Sequence, residues 1–164
     1  MNAVLDLPDQ HAKVLHLLIE KIPPIDLPWA LTGSAGLRLQ GVDIPVNDLD
    51  LQTDAQTIYI IEKHLTEFVK TPVHIWESEH TLSHHGQAEI YGLQVEFLGD
   101  MRHRSPAGIW EPAIDIASTR VWVNWREFQV PALPLKHEAL AYEKMGRTQK
   151  AELIRSAIKK EILW

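Results

Sequence analysis

Apolar positions recur along this chain at two spacings, which divide it into helices and strands. Residues 9–21 gather Val14, Leu15, Leu17 and Leu18, with Ile22 just beyond, on one side, and this predicts an amphipathic helix ended by Pro23-Pro24. Trp29-Ala30-Leu31-Thr32 is a short apolar run that stops at Gly33, as a buried strand should. Ser34 to Gln40 predicts a short helix, with Ser34 as its N-cap and Gly41 just past its end. Asp48-Leu49-Asp50-Leu51-Gln52 alternates polar and apolar, the period of a half-buried strand. A helix over about 55–69, capped by Thr53 or Asp54, carries Ile58, Ile61, Leu65 and Phe68 on one face. Pro72 to Trp76 predicts a strand, and a hairpin follows over 81–91 and 93–98, turning near Gly92. Residues 99–118 are rich in Pro and Gly and predict no regular element, whereas 120–130 holds one or two strands. Pro134, at a first helical position, opens a helix that Gly146 closes, and Thr148 starts a last one with Leu153, Ile154, Ala157 and Ile158 as its apolar side. No repeat, low-complexity tract or linker interrupts the pattern. The reading is one α+β domain, a mixed central sheet flanked by helices, with a C-terminal helical hairpin.

Composition narrows the function. The 164 residues, 45% hydrophobic, suit one domain with a real core. Cysteine is absent, so disulfides and cysteine zinc sites are excluded. The formal charge of −6 opposes general nucleic-acid binding, which needs clustered Lys and Arg, and suits a site that concentrates a divalent cation. Asp6, Asp9 and His11 interrupt what a signal peptide would keep apolar, and no apolar run approaches the roughly 18 residues of a membrane span. A cytoplasmic protein with no membrane partner is expected.

The chemistry concentrates in two segments. Asp48 and Asp50, two apart on a strand, share one face about 6–7 Å apart, while Leu49 and Leu51 enter the core. Two carboxylates at that spacing can converge on a hard cation such as Mg²⁺. Gly33-Ser34 lies at a strand-to-helix turn, where glycine admits close approach of a phosphate and the helix N-terminus favours anions.

Leu31-Thr32-Gly33-Ser34-Ala35-Gly36, a gap spanning residues 35–47, then Asp48-Leu49-Asp50-Leu51 resembles the signature of the nucleotidyltransferase superfamily, the polymerase-β-like fold. The likeness covers about residues 28–100. It implies a core over about 28–130 and C-terminal helices over about 134–160 within a single domain, 1–164. It further implies a third carboxylate on a later strand, for which Glu96 in Leu93-Gln94-Val95-Glu96-Phe97 is the candidate. By resemblance, Asp48, Asp50 and Glu96 are the catalytic and metal-holding residues for Mg²⁺ (or Mn²⁺), and Glu96 assists the attacking hydroxyl. Gly33 and Ser34 contact the nucleotide, and Lys144 and Arg147 are the preferred basic partners among Lys136, Lys144, Arg147 and Lys150. The implied reaction moves a nucleoside monophosphate from a nucleoside triphosphate, ATP foremost, to a hydroxyl on a small molecule, an RNA end or a protein. Small members of this kind resemble aminoglycoside-modifying enzymes and the nucleotidyltransferases of toxin–antitoxin pairs. At this length the acceptor is expected across a homodimer interface or from a partner protein. The alternative is an inactive module of the same fold that binds nucleotide or neutralises a partner.

Other features have plainer readings. His74, His80, His84 and His85 suggest a transition-metal site, yet His84 and His85 point to opposite faces of a strand, and one histidine lining the substrate cleft is the simpler expectation. Arg102-His103-Arg104 reads as a loop. The tryptophans at 29, 76, 110, 122 and 125 read as packing residues, with Trp122 and Trp125 on opposite faces.

Overall fold

The computed structural model describes residues 3–162. Helix α1 (Asp9–Lys21) leads to β1 (Ala30–Thr32), α2 (Gly33–Leu39), β2 (Leu49–Thr53), α3 (Thr57–His64) and a 3-10 turn at Thr66–Phe68. Then come β3 (Val69–Glu77), β4 (Thr81–Ile90), β5 (Leu93–His103), α4 (Ile116–Thr119), β6 (Val121–Trp125), β7 (Phe128–Ala132), α5 (Leu135–Lys144) and α6 (Thr148–Ile162). The seven strands form one mixed sheet in the order β3-β4-β5-β2-β1-β7-β6. The α+β reading therefore holds, C-terminal helix pair included.

Alternation along β2 positions the site. Leu49 and Leu51 are fully buried and join Val95 and Phe97 of β5 under α1 and α3, whose Val14, Leu15, Leu18, Ile58 and Ile61 close one face of the sheet. Period-two geometry turns Asp50 and Gln52 to the opposite face. A second apolar cluster joins Leu37 of α2 to Leu135, Ala139 and Tyr142 of α5 and to Ala151 and Ile154 of α6.

Several boundaries differ from the sequence reading. Helix 55–69 is shorter, because Asp54 accepts the Gln56 and Thr57 N–H groups at 3.0 and 2.6 Å and the last turn tightens at Thr66. Strand β3 begins at Val69, before Pro72, because it is an edge strand where a missing N–H is tolerated. The hairpin turns through Tyr91 and Gly92, both at positive φ, and β5 runs on to His103 into the stretch that predicted nothing regular. Pro134 is the N-cap of α5 and not its first helical residue. Leu153 is 44% exposed, so the buried side of α6 is carried by Ala151, Ile154 and Ala157, with Ile158 packed against them. Trp29 and Trp125 are core residues, but Trp76 and Trp122 are 52% and 43% exposed. Among the described residues no helix is long and apolar enough to cross a membrane.

Candidate active site

Strand pairing brings the acidic residues together. Asp50 and Glu96 are partners on the adjacent parallel strands β2 and β5, so their side chains stand on the same face. Asp48 lies two residues before Asp50, close enough for its charge to act on that carboxyl. Burial pushes Asp50 up to about 7, and the negative charges of Glu96 and Asp48 add to it, while Lys150 and His85 oppose the rise. Glu96 is held below the usual carboxylate range, first by the His85 imidazole beside it, against the effect of burial, with Gln87 donating at 3.2 Å and Gln94 at 2.9 Å.

This donor set fits a hard divalent cation: three carboxylates, one of which ionises with difficulty because it is buried and the other two add their negative charge. Among the described residues no three His, Asp or Glu side chains are drawn close enough to form a closed metal cage.

The β1–α2 turn is built differently from the sequence reading. Ser34 is not the N-cap. Thr32 takes that position in extended backbone, and its side chain makes no capping bond. The Ser34 hydroxyl is buried and accepts the Asn47 N–H at 3.0 Å, pinning the segment that leads into Asp48. Gly33 has φ +70, and a Cβ there would lie 2.7 Å from Asp50 Oδ2. Glycine is thus required both for the backbone and for the space the carboxylate fills. The Gly33 N–H, expected to face a phosphate, donates to Glu138 of α5 at 3.2 Å.

On the C-terminal helices the cation whose charge reaches Asp50 is Lys150. Its ammonium lies 4.7 Å from the centre of the Tyr142 ring, and the Arg147 guanidinium lies 5.0 Å from the same ring. Burial, with Arg147 nearby, lowers the Lys150 pKa, which Glu138 and Asp50 partly restore. Lys144 instead pairs with Glu111 at 3.2 Å, in the surroundings of His103 and His137. Arg102 is tied to the Glu111 and Trp110 carbonyls at 3.0 and 3.2 Å, and Arg104 stacks on Trp110.

The histidines separate as their alternation requires. His85 lies beside Glu96, its Nε2 3.9 Å from Oε2, and forms edge or tilted contacts with His74 and Trp76. His84 turns to the other face, against the Tyr59 hydroxyl at 3.0 Å. No zinc-type cluster forms among the described residues.

Two residues near the carboxylates were legible in hindsight. Leu135, Glu138, Ala139 and Tyr142 fall at i, i+3, i+4 and i+7, so Glu138 is an acid inside a buried stripe. Lys150 lies three residues, nearly one helical turn, after Arg147.

The raised Asp50 has a measurable consequence. Between its ordinary value of 3.8 and about 7, the folded chain keeps a proton that the unfolded chain has released, so metal-free stability falls as pH rises across that window. The melting temperature of Asp50→Asn relative to wild type is therefore expected to climb from pH 5 to pH 8 in chelator. Adding Mg²⁺ should shrink the gap by stabilising wild type. A gap that is flat with pH would mean that burial of Asp50 costs nothing.

Comparison with known proteins places this geometry. The aminoglycoside-2″-adenylyltransferase family profile matches residues 14–157. No curated protein matches the chain by sequence. Among solved structures, a proposed nucleotidyltransferase from Thermotoga maritima (TM1012) is 34% identical with a TM-score of 0.82, covering 95% of this chain and 97% of its own. The lincosamide antibiotic adenylyltransferase LnuA, bound to lincomycin, is 16% identical with a TM-score of 0.53, over 91% of this chain and 99% of its own. The antibiotic-resistance factor ANT(2″)-Ia, in solution, is 12% identical with a TM-score of 0.53, over 93% of each chain. The latter two share the fold. With the profile spanning most of its length and a relative above 30% identity along nearly all of it, the chain belongs to the aminoglycoside-2″-adenylyltransferase family of nucleotidyltransferases.

Proposed function

We propose that this protein transfers a nucleoside monophosphate, from ATP foremost, to a hydroxyl of a small-molecule acceptor. The observation that carries the reading is the pairing of Asp50 with Glu96 on adjacent strands, with Asp48 two residues away and the glycine of the β1–α2 turn against the Asp50 carboxylate. Those three carboxylates are the residues that would hold Mg²⁺ or Mn²⁺, which when bound neutralises charge on the phosphates and lowers the acceptor's pKa. Arg147 and Lys150, both set against the Tyr142 ring, take the triphosphate, with Lys150 near enough for its charge to act on Asp50. Ser34 keeps its own hydroxyl proton to donate while accepting from Asn47. Gly33 contributes space rather than its N–H.

In the reaction the acceptor oxygen bonds to the α-phosphorus, the bond to the bridging oxygen breaks, and pyrophosphate leaves. The acceptor proton passes to Glu96, which is ionised at neutral pH because His85, Gln87 and Gln94 favour its charged form. Beside Glu96, β3 and β4 present Thr71, His74, Trp76, His85 and Gln87, with no Lys or Arg among them. A phosphate-rich RNA end finds little to hold there, so a compact, uncharged or cationic acceptor is favoured over RNA. The antibiotics of the named relatives are the first acceptors to offer.

Incubation with α-labelled ATP, Mg²⁺ or Mn²⁺ and a panel of aminoglycosides, lincosamides, RNA and protein tests the reading. Label is expected on a small molecule from α-labelled and not from γ-labelled ATP. A wild-type protein that labels nothing, yet captures a partner from extract, supports the inactive binding module instead. Within the site, Lys150→Ala is expected to weaken ATP binding about 10- to 100-fold, the worth of a charge-assisted hydrogen bond. Lys144→Ala, whose cation is engaged by Glu111, is expected to change it far less. The reverse ranking by calorimetry would return Lys144 to the phosphate site.

A further inference from the structure

We infer that Glu138 is a positioning residue for the carboxylate site, holding the β1–α2 turn so that Gly33 backs Asp50. Glu138 is 3% exposed and lies on α5, outside both the metal-holding strands and the glycine turn. Its Oε1 accepts the Thr32 hydroxyl at 2.6 Å and the Gly33 N–H at 3.2 Å. Thr32 Oγ1 in turn accepts the Gln52 amide at 3.3 Å, and Thr32 pairs with Asp50 across β1 and β2. One side chain thus ties the C-terminal helices to the turn, and the turn to the strand that carries Asp50.

The position of the turn matters because Asp50 has little room. Its Oδ2 occupies the space that a Cβ on Gly33 would fill, so a displacement of Gly33 either crowds the carboxylate or releases it. Helix α2 opens with N–H groups that lack a partner within the helix, and Glu138 supplies an acceptor for the first of them. A carboxyl buried this deeply is costly without hydrogen-bond partners, and here one oxygen, Oε1, accepts from both groups that fix the turn. The contacts need an acceptor oxygen of the right reach. They do not need a negative charge.

That distinction sets the test, which relies on the proposed transfer reaction only for its rate readout. Glu138→Gln keeps an amide oxygen for both donors, whereas Glu138→Leu keeps the volume and leaves Thr32 and Gly33 unmatched. Mn²⁺ binding, read by the paramagnetic signal of the free ion, is measured alongside kcat and KM for ATP. Glu138→Gln is expected within about 3-fold of wild type in every quantity, since both bonds survive. Glu138→Leu is expected to lose about 10-fold in Mn²⁺ affinity and up to about 100-fold in kcat, with KM for ATP little changed, as misplacement of a reacting group does. If Glu138→Leu does not fold, Thr32→Val removes one arm of the tie, and Thr32→Ser should restore what Thr32→Val loses. Folded Glu138→Leu with wild-type Mn²⁺ affinity would overturn the proposal and leave Glu138 a helix cap alone. Equal losses in Glu138→Gln and Glu138→Leu would overturn it in favour of a role for the charge. A wild type that binds Mn²⁺ but transfers nothing sinks the proposed function while the Mn²⁺ comparison still decides this one. A wild type that binds no Mn²⁺ overturns the positioning role, since no cation site is there to be positioned.

Discussion

Replacing Asp48 and Asp50 together by asparagine is expected to leave a folded protein whose transfer rate is lower by about three orders of magnitude or more. Asparagine keeps the shape of each side chain and removes two negative charges from a face that also carries Glu96. Relief of that repulsion, and of the burial cost that raises Asp50, should make the metal-free double variant at least as stable as wild type at neutral pH. Rate and stability thus move in opposite directions. A metal that neutralises transition-state charge supplies several kcal/mol, and about 1.4 kcal/mol is one decade in rate. Thermal melting in chelator and labelled-nucleotide transfer, on the same preparation, measure both. Transfer by the folded double variant at the wild-type rate would remove these aspartates from the chemistry. If wild type and variant capture the same partner equally and neither transfers, the binding-module reading gains.

The sequence made β2 and the facing of its side chains readable for one physical reason: a period of two sends Leu49 and Leu51 into the core and Asp50 to the other face with no help from distant residues. The hairpin near Gly92 and the split between His84 and His85 were readable on the same basis, and the helix at Thr148 from its helical spacing of apolar residues. What the sequence could not display depends on pairing across long separations. Glu138 meets Thr32 and Gly33 from more than a hundred residues away, and so the Gly33 N–H is already occupied where local pattern left it for a phosphate. Ser34 reads as an N-cap by residue type, yet its hydroxyl is taken by Asn47, and Lys144 reads as a phosphate ligand until Glu111 is seen beside it. Residues 99–103 hid because Gly99 and the positive φ of Asp100 interrupt the strand signal, while pairing with β4 carries the strand through to His103.

Gly33→Ala is expected to damage both stability and transfer, for two separable reasons. At φ +70 an alanine pays the left-handed penalty of about 1–2 kcal/mol, and its Cβ would also stand 2.7 Å from Asp50 Oδ2, so that the carboxylate or the turn must move. Together these correspond to a fall in melting temperature of roughly 3–10 °C for a domain of this size. Displacement of a metal-holding group by about 1 Å is worth about 100-fold in rate. Gly108→Ala isolates the first cost, because Gly108 also has positive φ, at +81, but a Cβ there meets nothing within 4 Å. That variant should melt earlier and yet transfer normally per folded molecule. The contrast between the two alanines therefore reads the contact with Asp50 directly. Equal rates from both would mean that the Asp50 carboxylate swings aside without consequence, and that the glycine is there for the bend of the chain alone.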